Sequence, residues 1–167
     1  YLDASTGYNT YDFSYMFEST NLTSIPNIDT SKGVNFGCMF SRCGNLGSIP
    51  NLDTSNGTNF ASMFNDCTSL TSAPNIDTSK GTDFSQMFDG CTNLVSVPRL
   101  DVGNGTKLTS MFRDCTSLQD LYLYDIKKTI AIGVGTQYGH LLTVDSLIHI
   151  INELHPTIST KTLAMGD

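Results

Sequence analysis

"NDCTSLTSAPNIDTSKGTDFSQMF" occupies Asn65 to Phe88, and from Asp89 to Phe112 the chain reads "DGCTNLVSVPRLDVGNGTKLTSMF". The second stretch keeps Met-Phe, Cys, Leu and Asp in place while other letters drift. Met-Phe pairs stand at Met16-Phe17, Met39-Phe40, Met63-Phe64, Met87-Phe88 and Met111-Phe112, at spacings of 23, 24, 24 and 24. A fixed period of this size marks stacked repeat architectures, and it is too short for a propeller blade of roughly 40 residues. One unit cannot bury its apolar side alone, so the repeats are expected to stack on one another.

Two apolar patterns alternate inside each unit. Phe60, Met63, Phe64 and Cys67 fall at i, i+3, i+4 and i+7, the stripe of a short helix. Phe36/Met39/Phe40/Cys43 and Phe84/Met87/Phe88/Cys91 match it, with Leu108/Met111/Phe112/Cys115 as a variant. The second pattern, Leu70/Ala73/Ile76 and its counterparts, is too short for a helix and predicts a short strand. Pro26, Pro50, Pro74 and Pro98 lack the N–H that a ladder needs, so pairing is expected to stop beside them. "DTSKG", "DTSNG" and "DVGNG" then predict an Asp-capped turn, with Gly33, Gly57, Gly81 and Gly105 expected to permit positive φ. The expected fold class is a right-handed α/β solenoid, leucine-rich-repeat-like, with short parallel strands and short helices.

"MFNDCTSLTSAPNIDTSKGTDFSQMF" also resembles the repeat of about 25 residues in the BspA-like leucine-rich-repeat class of bacterial surface proteins. The likeness lies in Met-Phe-x-x-Cys-x-x-Leu followed by Asp-Thr-Ser, and it covers about residues 11–125. The tail "LLTVDSLIHIINEL…STKTLAMGD" is similar to the segment that often follows such repeats. The resemblance implies a bacterial surface or adhesion protein, or a phage tail or receptor-binding component carrying the same module.

Residues 1–125 are expected to form the repeat array, beginning with a degenerate half repeat, and 126–167 a C-terminal cap. Within that cap we expect a strand in "KTIAIGV", a helix over 143–154 and a last strand in "TKTLAMG". The helix has Thr143 as N-cap and Val144, Leu147, Ile148, Ile151 and Leu154 on one face. At the junction, the repeat register turns Leu118, Leu121 and Tyr124 inward. Strict alternation instead pairs Leu121 with Leu123, and the letters alone leave both open. The chain begins at Tyr1 with no initiator Met, so we expect a piece of a longer protein.

A net charge of −7 without a Lys/Arg cluster excludes nucleic acid as a partner, since phosphates demand basic surface, and speaks against anionic lipid. Of the 16 acids all but Glu18 and Glu153 are Asp, the turn-closing acid. There is no apolar run of about 18 residues, the minimum for a membrane-spanning helix. The expected localisation, from the resemblance, is extracellular, on a cell or virion surface.

Candidate chemistry is sparse. Cys43, Cys67, Cys91 and Cys115 occupy one place in each repeat and read as buried thiols in a core ladder with Phe64, Phe88, Leu70 and Leu94. Cys38 stands outside that column and is the expected exposed thiol. The Asp29/Asp53/Asp77/Asp101/Asp125 column reads as turn caps rather than as a calcium site. "GVGTQYG" from Gly133 misses the dinucleotide fingerprint and reads as a turn, and His140, His149 and His155 lack metal-site spacing. Asn21, Asn56 and Asn104 head glycosylation-like triplets that this composition throws up by chance. We therefore expect no enzyme, no cofactor and no metal. Positions that vary between repeats are free of core duty. They point to a contact face at Asn51, Asn75, Arg99, Arg113, Gln119, Asp120 and Tyr122, and Arg and Tyr are enriched at binding hot spots. The expected partner is a host or cell-surface protein or glycan; the alternative is a spacer holding another domain off a surface.

Overall fold

The structure, a computed structural model, describes residues 11–125, together with the backbone of Val134–Gly135 and Met165–Gly166. Around each Met-Phe pair, alternate residues send their N–H groups in two directions. Phe60, Ser62, Phe64 and Asp66 donate to the carbonyls of Asp83, Ser85, Met87 and Asp89 in the next repeat, at 2.8–2.9 Å. Met63, Asn65 and Cys67, between them, donate three residues back to Phe60, Ser62 and Phe64 at 3.1–3.2 Å. The outward set recurs from Phe13 to Ser19, from Phe36 to Arg42 and from Phe84 to Gly90.

This arrangement overturns the expected fold class. Among the described residues there is no helix, and the sheets are two small parallel pairs with a third in the tail, so the α/β solenoid with short helices is not what forms. The cause lies in the backbone. Ser62 and Asp66 have φ of 54° and 56°, and the same two places in every repeat are left-handed, down to Ser110 and Asp114 at 56° and 58°. A left-handed residue every four positions prevents a right-handed helix, and each non-glycine costs about 1–2 kcal/mol. The hydrogen bonds to the next repeat offset that cost. The i, i+3, i+4, i+7 stripe is real, but successive tight turns generate it.

Packing follows the same ladder. Phe36, Phe60 and Phe84 stack ring on ring at 5.6–5.7 Å, and Phe40, Phe64, Phe88 and Phe112 form a parallel column at 5.2–5.6 Å. Such offset pairs contribute about 0.5–1.5 kcal/mol each beyond their area. Met39, Met63, Met87 and Met111 are fully buried, as are Phe64, Phe88, Leu70 and Leu94. Cys43, Cys67, Cys91 and Cys115 are buried too, all as free thiols. Each donates its S–H to the Phe carbonyl of the preceding repeat, at 2.9–3.1 Å: Phe17, Phe40, Phe64 and Phe88 in turn. Phe40, Phe64 and Phe88 O each accept a local backbone N–H as well, so there the thiol fills the second lone pair, whereas Phe17 O also takes the Thr20 hydroxyl.

The glycine column corrects a second expectation. Positive φ in a glycine occurs only at Gly90 among the described residues. Gly33, Gly57 and Gly81 are needed for room: a Cβ there would run into the rings of Phe36, Phe60 and Phe84. The Asp turns form as expected at Asp29, Asp53, Asp77 and Asp101, whose Oδ1 accepts the N–H two residues on. A second column, Asp12, Asn35, Asn59 and Asp83, closes a turn in the same way, and the Asn35 and Asn59 amides each donate to the preceding member. Beside the Asp turns, Thr54 Oγ1 donates to Asp77 O and Thr78 Oγ1 accepts from Asp101 N, so these buried hydroxyls tie one turn to the next.

The strands are β1 (Tyr11–Asp12), β2 (Gly33–Asn35), β3 (Ser96–Asp101), β4 (Asp120–Tyr124), β5 (Val134–Gly135) and β6 (Met165–Gly166), paired in parallel as β1–β2, β3–β4 and β5–β6. Where short strands were expected near Leu22, Leu46 and Leu70, only a single bridge, Ser72 to Ser96, is present. The helix expected over 143–154 and all three histidines lie outside the described residues.

Candidate functional site

The strand pair β3–β4 is where the repeat stops repeating. Ser96 faces Asp120 and Val97 faces Leu121, both 24 apart, but beyond Pro98 the register slips: Leu100 faces Leu123 and Asp101 faces Tyr124. Pro98 and Arg99 together therefore oppose Tyr122 alone, a β-bulge at the proline, which has no N–H for the ladder. Pairing passes this proline instead of ending there. The slip also settles the junction: Leu118, Leu121 and Leu123 are buried, and Tyr124 turns to the same half-exposed side as Asp120 and Tyr122.

That side chain meets Arg99. The Arg99 guanidinium lies over the Tyr124 ring, 4.2 Å from its centroid, a cation–π contact that holds a long side chain in one place. Among the described residues Arg99 has no ion-pair partner, whereas Lys107 is bound to Asp83 and Arg113 to Asp89. Arg99 and Tyr124 border an open groove of about 490 Å³ whose other walls are Asn75, Ile76, Asp77, Thr78 and Ser79 of the preceding repeat. Burial first, then the Asp101 carboxylate, pushes the Tyr124 phenol above its ordinary range, while Arg99 pulls the other way. Asp77 is held below the usual carboxylate range by the Ser79 N–H and then its hydroxyl.

Of the residues singled out in the sequence, Arg99 and Asn75 meet at this groove. Asp120 and Tyr122 belong to β4, and Gln119 just precedes it, its N–H on Val95 O at 2.9 Å. Asn51 is exposed one repeat earlier and does not line the groove. Arg113 is not part of it. Its Nε and Nη2 grip Asp89 Oδ1 and Oδ2 at 2.9 and 2.5 Å, and that carboxylate is only 2% exposed. Arg113 thus compensates a buried charge on the Met-Phe side. Cys38 is half-buried, and Asn56 and Asn104 use their amides on Ser31 O and Ser79 O of the preceding turn.

Tyr124 and Asp77 were missed by the contact-face reading. The 24-residue register turns Tyr124 inward; the Leu121/Leu123 alternation was the signal that would have turned it outward. Asp125, counted in the Asp column, is displaced by the slip, and Tyr124 stands opposite Asp101 in its stead. Among the described residues no cluster of three or more His, Cys, Asp or Glu could hold a metal ion, and no helix is long and apolar enough to cross a membrane.

Stacked repeats with a shallow, polar groove beside β3–β4 define a tandem-repeat protein. The chain matches the family described as "Mycoplasma protein of unknown function, DUF285" over residues 11–124, more than half its length, and belongs to that family. No curated protein and no solved structure matches it.

Proposed function

We propose that the chain is a non-enzymatic recognition module that meets a receptor through its β3–β4 end. One observation carries this: the register slip sets Arg99 on Tyr124 at the edge of an open groove, without an ion-pair partner among the described residues. A charged side chain immobilised in advance loses less freedom on binding, and Arg and Tyr are the residues that anchor interfaces. The resemblance of the repeats to bacterial surface proteins supports a setting on a cell or virion surface and a role as adhesin or phage receptor-binding component. A spacer, by contrast, has no use for one end unlike the rest, and here the column Asn27, Asn51, Asn75 changes to Arg99 at the last boundary.

The test is a screen of the protein against host cells, matrix proteins and glycans, with Arg99→Ala and Tyr122→Ala beside the parent. Binding should fall at least about tenfold, the loss of one hot-spot contact, with an unchanged denaturation midpoint. Undiminished binding by both variants would sink the assignment of the face.

A further inference from the structure

Resting on that reading, we infer that the Asn75–Asp77–Arg99–Tyr124 groove takes a neutral, hydroxyl-rich saccharide. The groove excludes other ligands by its own chemistry. Asp77 lines it, and Asp101 stands opposite Tyr124 on the neighbouring strand, so the one guanidinium at the groove sits among acidic side chains. An acidic sugar or phosphate would meet net negative potential there, in a chain already at −7. A cationic ligand would have to pass Arg99 at the edge. An apolar one would find few walls: Ile76 is buried, and the remaining lining is polar or carries a polar tip.

What remains is a set of fixed donors and acceptors on a shallow floor. Asp77 Oδ1 accepts the Ser79 N–H at 2.9 Å, and the exposed carboxylate has lone pairs beyond that bond to accept from sugar hydroxyls. The Arg99 guanidinium is a planar fork of donors held over the Tyr124 ring. The exposed Asn75 amide offers a donor and an acceptor, and the Tyr124 hydroxyl a further group of each kind. Adjacent sugar hydroxyls both donate and accept, so they satisfy a carboxylate and a guanidinium side by side. A groove of about 490 Å³ is within the range of small-ligand sites.

The repeat itself supplies the control. Asn35 and Asn59 cap their turns through Oδ1 onto Gly37 N and Ala61 N, as Asp does elsewhere. Asp77→Asn therefore keeps the turn and removes the acceptor oxygen, while Asp53→Asn makes the same change one repeat away from the groove. On an array holding neutral and acidic oligosaccharides, the parent should bind neutral glycans. Asp77→Asn and Arg99→Lys should each weaken that binding about tenfold, as expected for one lost polar contact. Tyr124→Phe, which keeps the ring beneath Arg99, should weaken it less, and Asp53→Asn not at all. If Asp77→Asn lowers the denaturation midpoint more than Asp53→Asn does, the folded Arg99→Lys protein decides the matter. Binding confined to acidic glycans, or neutral-glycan binding indifferent to Asp77 and Arg99, overturns the inference. Attachment to a protein receptor without any glycan binding overturns it but leaves the recognition reading standing. Failure to bind cells, proteins and glycans alike would remove both.

Discussion

The Met-Phe side and the strand side of this molecule are held by different rules. On the first, each boundary between repeats carries the same four backbone bonds, the same ring stacking and the same thiol-to-carbonyl contact. On the second, the only bridge between earlier repeats among the described residues is Ser72 to Ser96, and the sheet there is β3–β4, with a bulge in it. The lesson is a division of labour along one turn of chain. Uniformity marks residues that hold the stack, and where the pattern breaks a charged side chain, Arg99, rests on a ring instead of on any carboxylate among the described residues.

Substitutions can break that contrast or sharpen it. The largest effect belongs to Phe64→Ala, which opens a hole in a ring column between Phe40 and Phe88 and should cost about 3–5 kcal/mol in chemical denaturation. Arg99→Ala, on the other side, should move the same midpoint by less than about 0.5 kcal/mol. Equal losses would erase the distinction. Gly81→Ala drives a methyl into the Phe84 ring and should destabilise by about 1–3 kcal/mol, the usual range for overpacking. Were the glycine there only for its conformation, the methyl would be tolerated, since its φ is not positive. Arg113→Ala leaves the buried Asp89 carboxylate without its main partner and should cost about 2 kcal/mol. In a binding assay the same variant should behave as the parent.

The smallest effect is acid sensitivity of the turns. Hydrogen bonds from the Ser55 hydroxyl and then its N–H hold Asp53 below its ordinary range, and Asp29 is held low by Ser31 in the same way. A carboxylate depressed on folding stabilises above its unfolded value, about 4, and that share is lost as pH falls through the folded value. Asp53→Asn should therefore leave the midpoint at pH 7 nearly unchanged and make stability slightly less pH-dependent below pH 4. A steeper acid limb in the variant would reverse the sign of the argument.

Much of the interior was legible because it is written several times. The burial of Phe64, Cys67 and Leu70 follows from their column, and the Asp turns from the short reach of the side chain to the N–H two residues on. The helices were not legible. The spacing of Phe60, Met63, Phe64 and Cys67 fits one helical face equally well, and nothing in the letters announces that Ser62 and Asp66 are left-handed. Arg42 and Gln86 take the same φ in sister repeats, so residue type carried no warning. The glycine column misled for a related reason: glycine serves backbone freedom and sheer space, and only coordinates tell the two apart. At the site, Arg99 and Asn75 stood out by variation, whereas Tyr124 was hidden by a one-residue slip that a strict period cannot represent.

In every outward bond beside a Met-Phe pair, the amide belongs to the earlier unit and the carbonyl to the later one. The boundaries are therefore interchangeable, and the chain behaves as a row of cassettes. Excising residues 65–88 would join Phe64 to Asp89 and offer Lys107 O to the Phe60 N–H in place of Asp83 O. Asn51, Leu52, Asp53, Thr54 and Ser55 would then stand where Asn75, Ile76, Asp77, Thr78 and Ser79 stood, nearly the same letters in the same order. The shortened protein would rebuild the same groove beside Arg99, so the number of repeats before it can change without altering its walls.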